Sequence, residues 1–256
     1  MLLAINANNT NVKFAVLDGE SKCAEWRIST DAARTADEYG VWLKQLMDLE
    51  DFDAADITEV IIAIVVPQAL FELKRLCDKY FNCAPMVIGD AGVDLGLKVL
   101  IERPEEAGDD RLVNAVAGHL HYGGPLIIVD FGTGTTFDVI DKDGNYAGGI
   151  ISPGINLSVE ALYLAAAKLP RIAIEKPNNV IGRTTVEAMK SGVFWGYVGL
   201  IEGLIKRIGE EHGADMKVVV TGGLAPLFAD ATDVFDAIDP DLTMKGLVEI
   251  HRRNSA

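Results

Sequence analysis

Long apolar runs are missing from this chain. No stretch approaches the roughly 18 unbroken apolar residues of a membrane span, and the opening run Met1–Ile5 gives way at once to the polar Asn6–Asn11. Neither a span nor a secretory leader is expected, so the protein is placed in the cytoplasm, with no membrane partner. Cysteine is scarce as well. Cys23, Cys77 and Cys83 are odd in number and form no CxxC pair, which argues against a disulfide framework and against a structural zinc site. Basic residues are outnumbered: 23 Lys plus Arg against 38 Asp plus Glu leave a formal net charge of −15, the wrong sign for gripping a nucleic acid. Low-complexity segments and long linkers are also lacking, and 49% hydrophobic with 24% charged residues is the composition of a folded chain. A negative charge does not exclude a phosphate ligand, because backbone N–H groups in turns can hold one without basic side chains.

What is present is a pattern that occurs twice. A strand at Leu2–Ile5, a polar turn at Asn6–Asn11 and a second strand at Val12–Leu17 close on Asp18-Gly19. The same order returns as Leu126–Val129, Asp130–Thr135, Thr136–Ile140 and Asp143-Gly144, with Asn6 aligning with Asp130 and Asn8 with Gly132. A further strand is expected near Glu25–Ser29, with helices at 35–49, 69–80, 110–121, 153–167 and 185–211. Val60–Val66, Met86–Ile88 and Lys217–Val220 read as buried strands. Strands alternating with helices give an α/β fold with mixed sheets. In 256 residues this suggests two similar domains, 1–115 and 116–256, meeting at a cleft.

Asp130-Phe131-Gly132-Thr133-Gly134-Thr135-Thr136 is the most informative segment. Glycines let a backbone approach an anion, threonine hydroxyls add donors, and a leading Asp can hold a metal ion. It is neither a Walker A loop nor a GxGxxG element. Thr221-Gly222-Gly223 follows a buried strand and leaves room for a flat ring such as adenine. Gly/Thr turns after strands at the start, middle and end of the chain describe a split nucleotide site of the actin, sugar-kinase and Hsp70 type. Gly108-Asp109-Asp110-Arg111 opens a helix, where a carboxylate can cap the helix or take a proton from a substrate hydroxyl. His119 and His121 do not face one another on a helix, so no metal is assigned to them. Glu249–Arg253 reads as a solvated chain end, and Val193, Trp195, Val198 and Leu204 as an apolar helix face able to support a dimer.

These motifs resemble, in order, those of type III pantothenate kinase. The set comprises Asn9-Thr10-Asn11, Gly108-Asp109-Asp110-Arg111, Asp130 to Thr136, Gly148-Gly149-Ile150-Ile151-Ser152-Pro153-Gly154 and Thr221-Gly222-Gly223-Leu224-Ala225. Trp26 to Thr30, Val65-Val66-Pro67 and Thr185 to Gly192 extend the resemblance over essentially the whole chain. It implies two duplicated ribonuclease H-like domains with a central nucleotide cleft, and ATP-dependent phosphorylation of the primary hydroxyl of pantothenate, the first step of coenzyme A synthesis. It further implies Mg²⁺ and a monovalent cation, K⁺ or NH₄⁺, and a homodimer. Residue by residue, Asp110 is implied as the proton acceptor. Gly108, Asp109, Asp110, Arg111 and Ile101 would contact pantothenate, joined by Thr185 from across a dimer interface. Asn6, Ala7, Asn8, Asn9, Thr10, Asn11, Val12, Lys13 and Thr133 would contact ATP, together with Gly222 and Gly223, and Asp130 would hold the monovalent cation.

The chain departs from the family pattern at four of these positions. Asn6 and Asn8 stand where Asp and Gly are usual in the first phosphate turn. Asp109 replaces a usual Ala, and Ile101 a frequent Tyr. Asn6 keeps a hydrogen-bonding oxygen but not the charge that attracts hydrated magnesium, and Asn8 is the non-glycine type most tolerant of a left-handed backbone. A nucleotide-binding regulatory paralogue with weak turnover is therefore the alternative reading.

Overall fold

The computed structural model describes residues 1–166 and 169–255, which form two compact units. The first takes in Met1–Gly96, Arg103–Ala117 and the C-terminal helix; the second takes in Leu97–Glu102 and Gly118–Asp241. In the first unit lie β1 (Leu2–Ala7), β2 (Asn11–Asp18), β3 (Ser21–Ser29), α1 (Ala36–Leu49), β4 (Glu59–Ile64), α2 (Pro67–Leu76) and β5 (Met86–Val87). Helix α3 (Asp109–Tyr122) crosses the boundary between Ala117 and Gly118. The second unit holds β6 (Leu126–Phe131), β7 (Gly134–Ile140), β8 (Tyr146–Pro153), α4 (Ile155–Ala165), α5 (Thr185–His212), β9 (Lys217–Thr221), α6 (Ala225–Phe228) and β10 (Ala237–Ile238). Helix α7 (Leu242–Asn254) closes the chain.

The two sheets have one topology. The first runs β3-β2-β1-β4-β5 and the second β8-β7-β6-β9-β10, each with two antiparallel pairs followed by two parallel ones. The repeat read from the sequence is thus a repeat of fold, strand for strand. β1 is buried along its whole length because it has a partner on each side, which is why it reads as a continuous apolar run.

Local signals set the helix ends. Thr35 caps α1 in a reciprocal box, its hydroxyl accepting from the Glu38 N–H (3.3 Å) while the Glu38 carboxylate accepts from the Thr35 N–H (2.8 Å). Pro67 stands at the start of α2, and Thr184 caps α5, which stops at Gly213 with φ of +73°. The helix expected over 69–80 starts earlier, at Pro67, and widens into a π turn over Cys77–Phe81. Of the helix expected over 153–167, Ala167 lies outside the described residues.

Two expectations need correction. Glu249–Arg253 is not a solvated end: it forms the last turns of α7, where Leu242, Leu247 and Ile250 are buried. Glu249 is buried and receives Arg252 (2.8 Å) and Arg253 (3.0 Å), and Arg253 also donates to the Leu95 carbonyl (2.7 Å). Burial alone would raise the Glu249 carboxyl, but the two guanidinium groups outweigh it and hold the carboxyl below its usual value. The supposed dimer face of α5 is likewise inside its own unit, with Val198 buried and Val193, Trp195 and Leu204 packed on the second core. Three glycines are among the exposed residues of that helix: Gly192, Gly196 and Gly199, and a Cβ on any of them would meet nothing within 4 Å.

The second core is built on rings. Phe228 stacks on Phe131 (centroids 5.2 Å) and on Phe194 (5.3 Å) and lies 5.4 Å from Tyr197. Each such ring pair adds about 0.5–1.5 kcal/mol beyond the area buried. Phe131 directly follows Asp130, so this stack fixes the strand end that carries the acidic residue. Among the described residues no helix is long and apolar enough to cross a membrane.

Candidate active site

In the first unit the candidate residues gather at the carboxyl ends of two parallel strands, the place where open α/β sheets present ligands. Ala7 of β1 and Ile64 of β4 are ladder partners there, and the Val65 N–H donates to the Ala7 carbonyl (3.0 Å). The turn after β1 is closed by the Asn8 N–H on the Asn11 carbonyl (3.0 Å) and tied to β3 by the Thr30 hydroxyl on the Asn8 carbonyl (2.5 Å). Asn9 and Thr10 are exposed at its tip, and Lys13 pairs with Asn6 across the β1–β2 ladder next to the buried Val12. Asn6 is 3% exposed, and its Oδ1 and that of Asn8 are buried without a hydrogen-bond partner. An unsatisfied buried acceptor costs about 1–3 kcal/mol, so two in one turn mark a place built to receive something.

The segment Gly108–Arg111 reaches the same sheet edge. The Asp109 carboxylate accepts from the backbone N–H of Ile64, the residue opposite Ala7. Burial raises its pKa to about 6, with Asp110 and Asp90 adding to the rise and the Ile64 N–H opposing it. Asp110 begins α3 beside it. Its Oδ1 accepts from the Arg111 N–H (2.9 Å), and a Cβ on Gly108 would sit 2.9 Å from that oxygen, so the glycine is what gives the carboxylate its room. Burial raises the Asp110 pKa, while the Arg111 N–H and guanidinium hold it down. A carboxylate whose basicity is raised but which keeps a cationic neighbour is suited to accepting a proton.

The second unit repeats the arrangement with different chemistry. Asp130 and Thr221 are ladder partners at the carboxyl ends of parallel β6 and β9. Gly222 follows with φ of +93°, and a Cβ there would lie 2.6 Å from Asp130 Oδ1 and from the N and O of Phe131. Only glycine fits, and its absence of side chain lets the Asp130 carboxylate lie against the Thr221-Gly222 backbone. The turn after β6 closes with the Gly132 N–H on the Gly134 carbonyl (3.0 Å) and leaves Thr133 exposed at its tip. A Cβ on Gly154 would sit 2.2 Å from the Thr133 carbonyl, and Gly223 opens on free space.

The remaining expected residues also lie in the second unit. Ile101 sits on a segment bridged to β8, where the Leu100 N–H donates to the Tyr146 carbonyl (2.8 Å) and the Tyr146 N–H to that of Lys98 (2.9 Å). Thr185 is exposed at the first turn of α5 and lines a groove of ≈ 690 Å³ together with Leu162, Met189 and Gly196. The sequence reading missed Asp138 and Tyr146, both fully buried on β7 and β8, because a lone acid within an apolar strand carries no motif. Among the described residues no group of three or more His, Cys, Asp or Glu side chains is placed to hold a metal ion.

Comparison with known proteins points one way. A family model for type III pantothenate kinase matches residues 2–207. The type III pantothenate kinase of Paramagnetospirillum magneticum is 67% identical over 255 residues, covering 100% of this chain and 98% of its own. That of Rhodospirillum rubrum is 62% identical over 254 residues, 99% of each chain. Among solved structures, a conserved Baf-family protein from Campylobacter jejuni superposes with a TM-score of 0.63 at 20% identity, over 99% of this chain and 98% of that one. A protein from Porphyromonas gingivalis assigned as an N-acetylglucosamine kinase gives 0.57 at 13% identity over 100% of both chains. The structural likenesses carry the fold alone, which is that of the actin-like ATPases and sugar kinases.

The Asp109 environment makes a prediction about stability. Folding raises its pKa from 3.8 to about 6, so the protonated carboxyl stabilises the fold below about pH 4, and that contribution is lost as pH rises through about 6. Asp109→Asn, neutral at every pH and still able to accept from Ile64, should gain about 1 kcal/mol over the parent at pH 8, after discounting for partial exposure, and nothing at pH 4. Urea unfolding at the two pH values reads the difference. An equal gain at both would refute the assignment.

Proposed function

Because the chain belongs to the type III pantothenate kinase family, we propose that it moves the γ-phosphoryl group of ATP onto the primary hydroxyl of pantothenate with Asp110 as the base. The protein is a phosphotransferase of coenzyme A synthesis, with ATP as donor and pantothenate as acceptor. In our reading the hydroxyl oxygen of pantothenate bonds to the γ-phosphorus as its proton passes to Asp110. The bond from that phosphorus to the β–γ bridging oxygen breaks, and ADP leaves with the electron pair. Such a transfer needs little covalent chemistry from the protein beyond positioning and charge stabilisation.

The observation that carries this reading is the docking of Asp109, next to the raised Asp110, on the Ile64 N–H opposite Ala7, at the end of the strand whose turn holds unpaired acceptors. Backbone N–H groups of the Asn6–Lys13 turn would cradle the phosphates, with Thr133 touching the nucleotide and Gly222-Gly223 leaving space for its base. Arg111 would take the pantothenate carboxylate, with Gly108, Asp109 and Ile101 shaping the acceptor pocket. The residues suit the expected cations. The orphaned Asn6 Oδ1 is an acceptor for a metal ion or its water, and the Asp130 carboxylate is a charged oxygen donor seated against the Gly222 backbone. Bound there, Mg²⁺ and K⁺ or NH₄⁺ would draw charge from the phosphate oxygens.

The homodimer fits the outward face of α5. Gly192, Gly196 and Gly199 would let a second copy approach closely, and exposed Leu157, Leu162 and Leu164 on α4 supply apolar surface near Thr185. Thr185 would then complete the acceptor site of the partner subunit.

Three outcomes test these roles. Asp110→Ala should fold and bind ATP but lose about 100-fold or more in kcat for pantothenate-dependent ATP consumption. Wild-type turnover in that variant would remove the base. Asn6→Asp restores a charged partner for magnesium and should lower the half-saturating Mg²⁺ concentration severalfold, with ATP affinity little changed. If the magnesium dependence stays where it is, the amide is an equivalent ligand. Gly196→Arg meets no neighbour within its own chain, so it should leave the fold intact, sediment as a monomer and raise the KM for pantothenate. A dimeric variant with normal kinetics would place the interface elsewhere.

A further inference from the structure

Behind Asp130 lies a buried hydroxyl and carboxylate arrangement that the roles above do not use. Asp138 on β7 is fully buried and accepts two hydroxyl hydrogen bonds: Tyr146 donates to its Oδ1 (3.0 Å) and Thr136 to its Oδ2 (3.0 Å). Thr136 is the ladder partner of Asp130, so the two side chains stand on the same face of the sheet as direct cross-strand neighbours. Asp138, two residues further along β7, is on that face as well.

The direction of the Thr136 hydrogen bond decides what its oxygen can do next. A hydroxyl has one proton and two lone pairs, and here the proton is committed to Asp138. Toward Asp130 the oxygen can act only as an acceptor. A phosphate oxygen offers no proton and would meet lone pair against lone pair, whereas a cation is bound through such a lone pair. We propose that Thr136 supplies a second oxygen, beside the Asp130 carboxylate, to the monovalent cation, and that Asp138 is the positioning residue that turns the hydroxyl into an acceptor. The proposal rests on the reading of Asp130 as the cation's ligand and adds the residue that shares it. Tyr146 ties the same carboxylate to the strand segment that carries Ile101, since its backbone holds Lys98 and Leu100. One buried carboxylate thereby fixes both the cation's edge and the segment expected to meet the acceptor substrate.

The test uses the full-length enzyme and K⁺ itself. Half-saturating K⁺ is measured twice for each variant, in turnover and as the rise in melting temperature when KCl replaces choline chloride in the presence of ATP. Thr136→Val should raise it about tenfold or more in both, the scale on which loss of a supporting group weakens metal sites, with the KM for ATP within about twofold. Thr136→Ser, which keeps the hydroxyl, should restore it. Asp138→Asn offers one acceptor and one donor in place of two acceptors, so it should shift K⁺ in the same direction even if Thr136→Val fails to fold. Asp130→Asn separates the two readings. If it abolishes the K⁺ response while Thr136→Val and Asp138→Asn leave it unchanged, the present inference falls and the Asp130 role stands. If none of the three alters it, both fall. A melting temperature lowered equally in KCl and choline chloride, with K⁺ dependence intact, means that the triad is structural and overturns the proposal.

Discussion

Parallel pairing of the first strand with the fourth in each sheet is the constraint from which the site follows. Because β1 and β4 run the same way, their carboxyl ends finish level at Ala7 and Ile64, and because β6 and β9 do, Asp130 finishes level with Thr221. A parallel pair leaves its terminal N–H and C=O groups at one edge with no hairpin to close them. Each edge is therefore finished by turns, and in both units those turns are the Gly, Asn and Thr segments. In the first unit the Ile64 N–H is used by Asp109, which docks Gly108–Arg111 at the strand ends. In the second, Thr221 leads into Gly222, and the missing Cβ there admits the Asp130 carboxylate. Antiparallel pairing at either place would separate these groups by the length of a strand.

An acidic protein that takes two anionic substrates meets an electrostatic problem, and the structure handles it locally. The net charge of −15 gives no attraction for ATP or for a carboxylate acceptor. Burial acts on the acids at this edge, raising the pKa of Asp109 to about 6 and that of Asp110 as well. The same desolvation makes Asp110 a stronger base than a surface aspartate. Arg111 limits the rise.

The turns of the candidate site were legible in the sequence, because their residue types are dictated by backbone geometry. Gly222 at positive φ, Gly108 against Asp110 and the Thr35 capping box are each forced by a contact that other residues would break or weaken. The duplication was legible for the same reason, since both copies need a polar turn after a buried strand. What escaped was chemistry without a local signature. Asp138 is one acid in the strand Gly134–Ile140, and its meaning depends on Tyr146 from the next strand. Helix α7 escaped because Glu249, Arg252 and Arg253 look solvated as a string of letters, while in the fold Glu249 is buried beneath the two arginines and Arg253 also reaches the carbonyl of the distant Leu95.

The two turns occupy the same position in the repeated topology yet differ in charge. Asn6 and Asp130 both stand on a central strand one residue before its end, with partners on both sides. A neutral, unpartnered amide oxygen stands in one unit, and a carboxylate packed on the Gly222 backbone stands in the other. The neutral position lies on the sheet edge where Asp109 docks, so it adds no further charge to the two acids already there. Arg111 is the cation beside Asp110, and its N–H and guanidinium hold that carboxyl below where burial alone would put it.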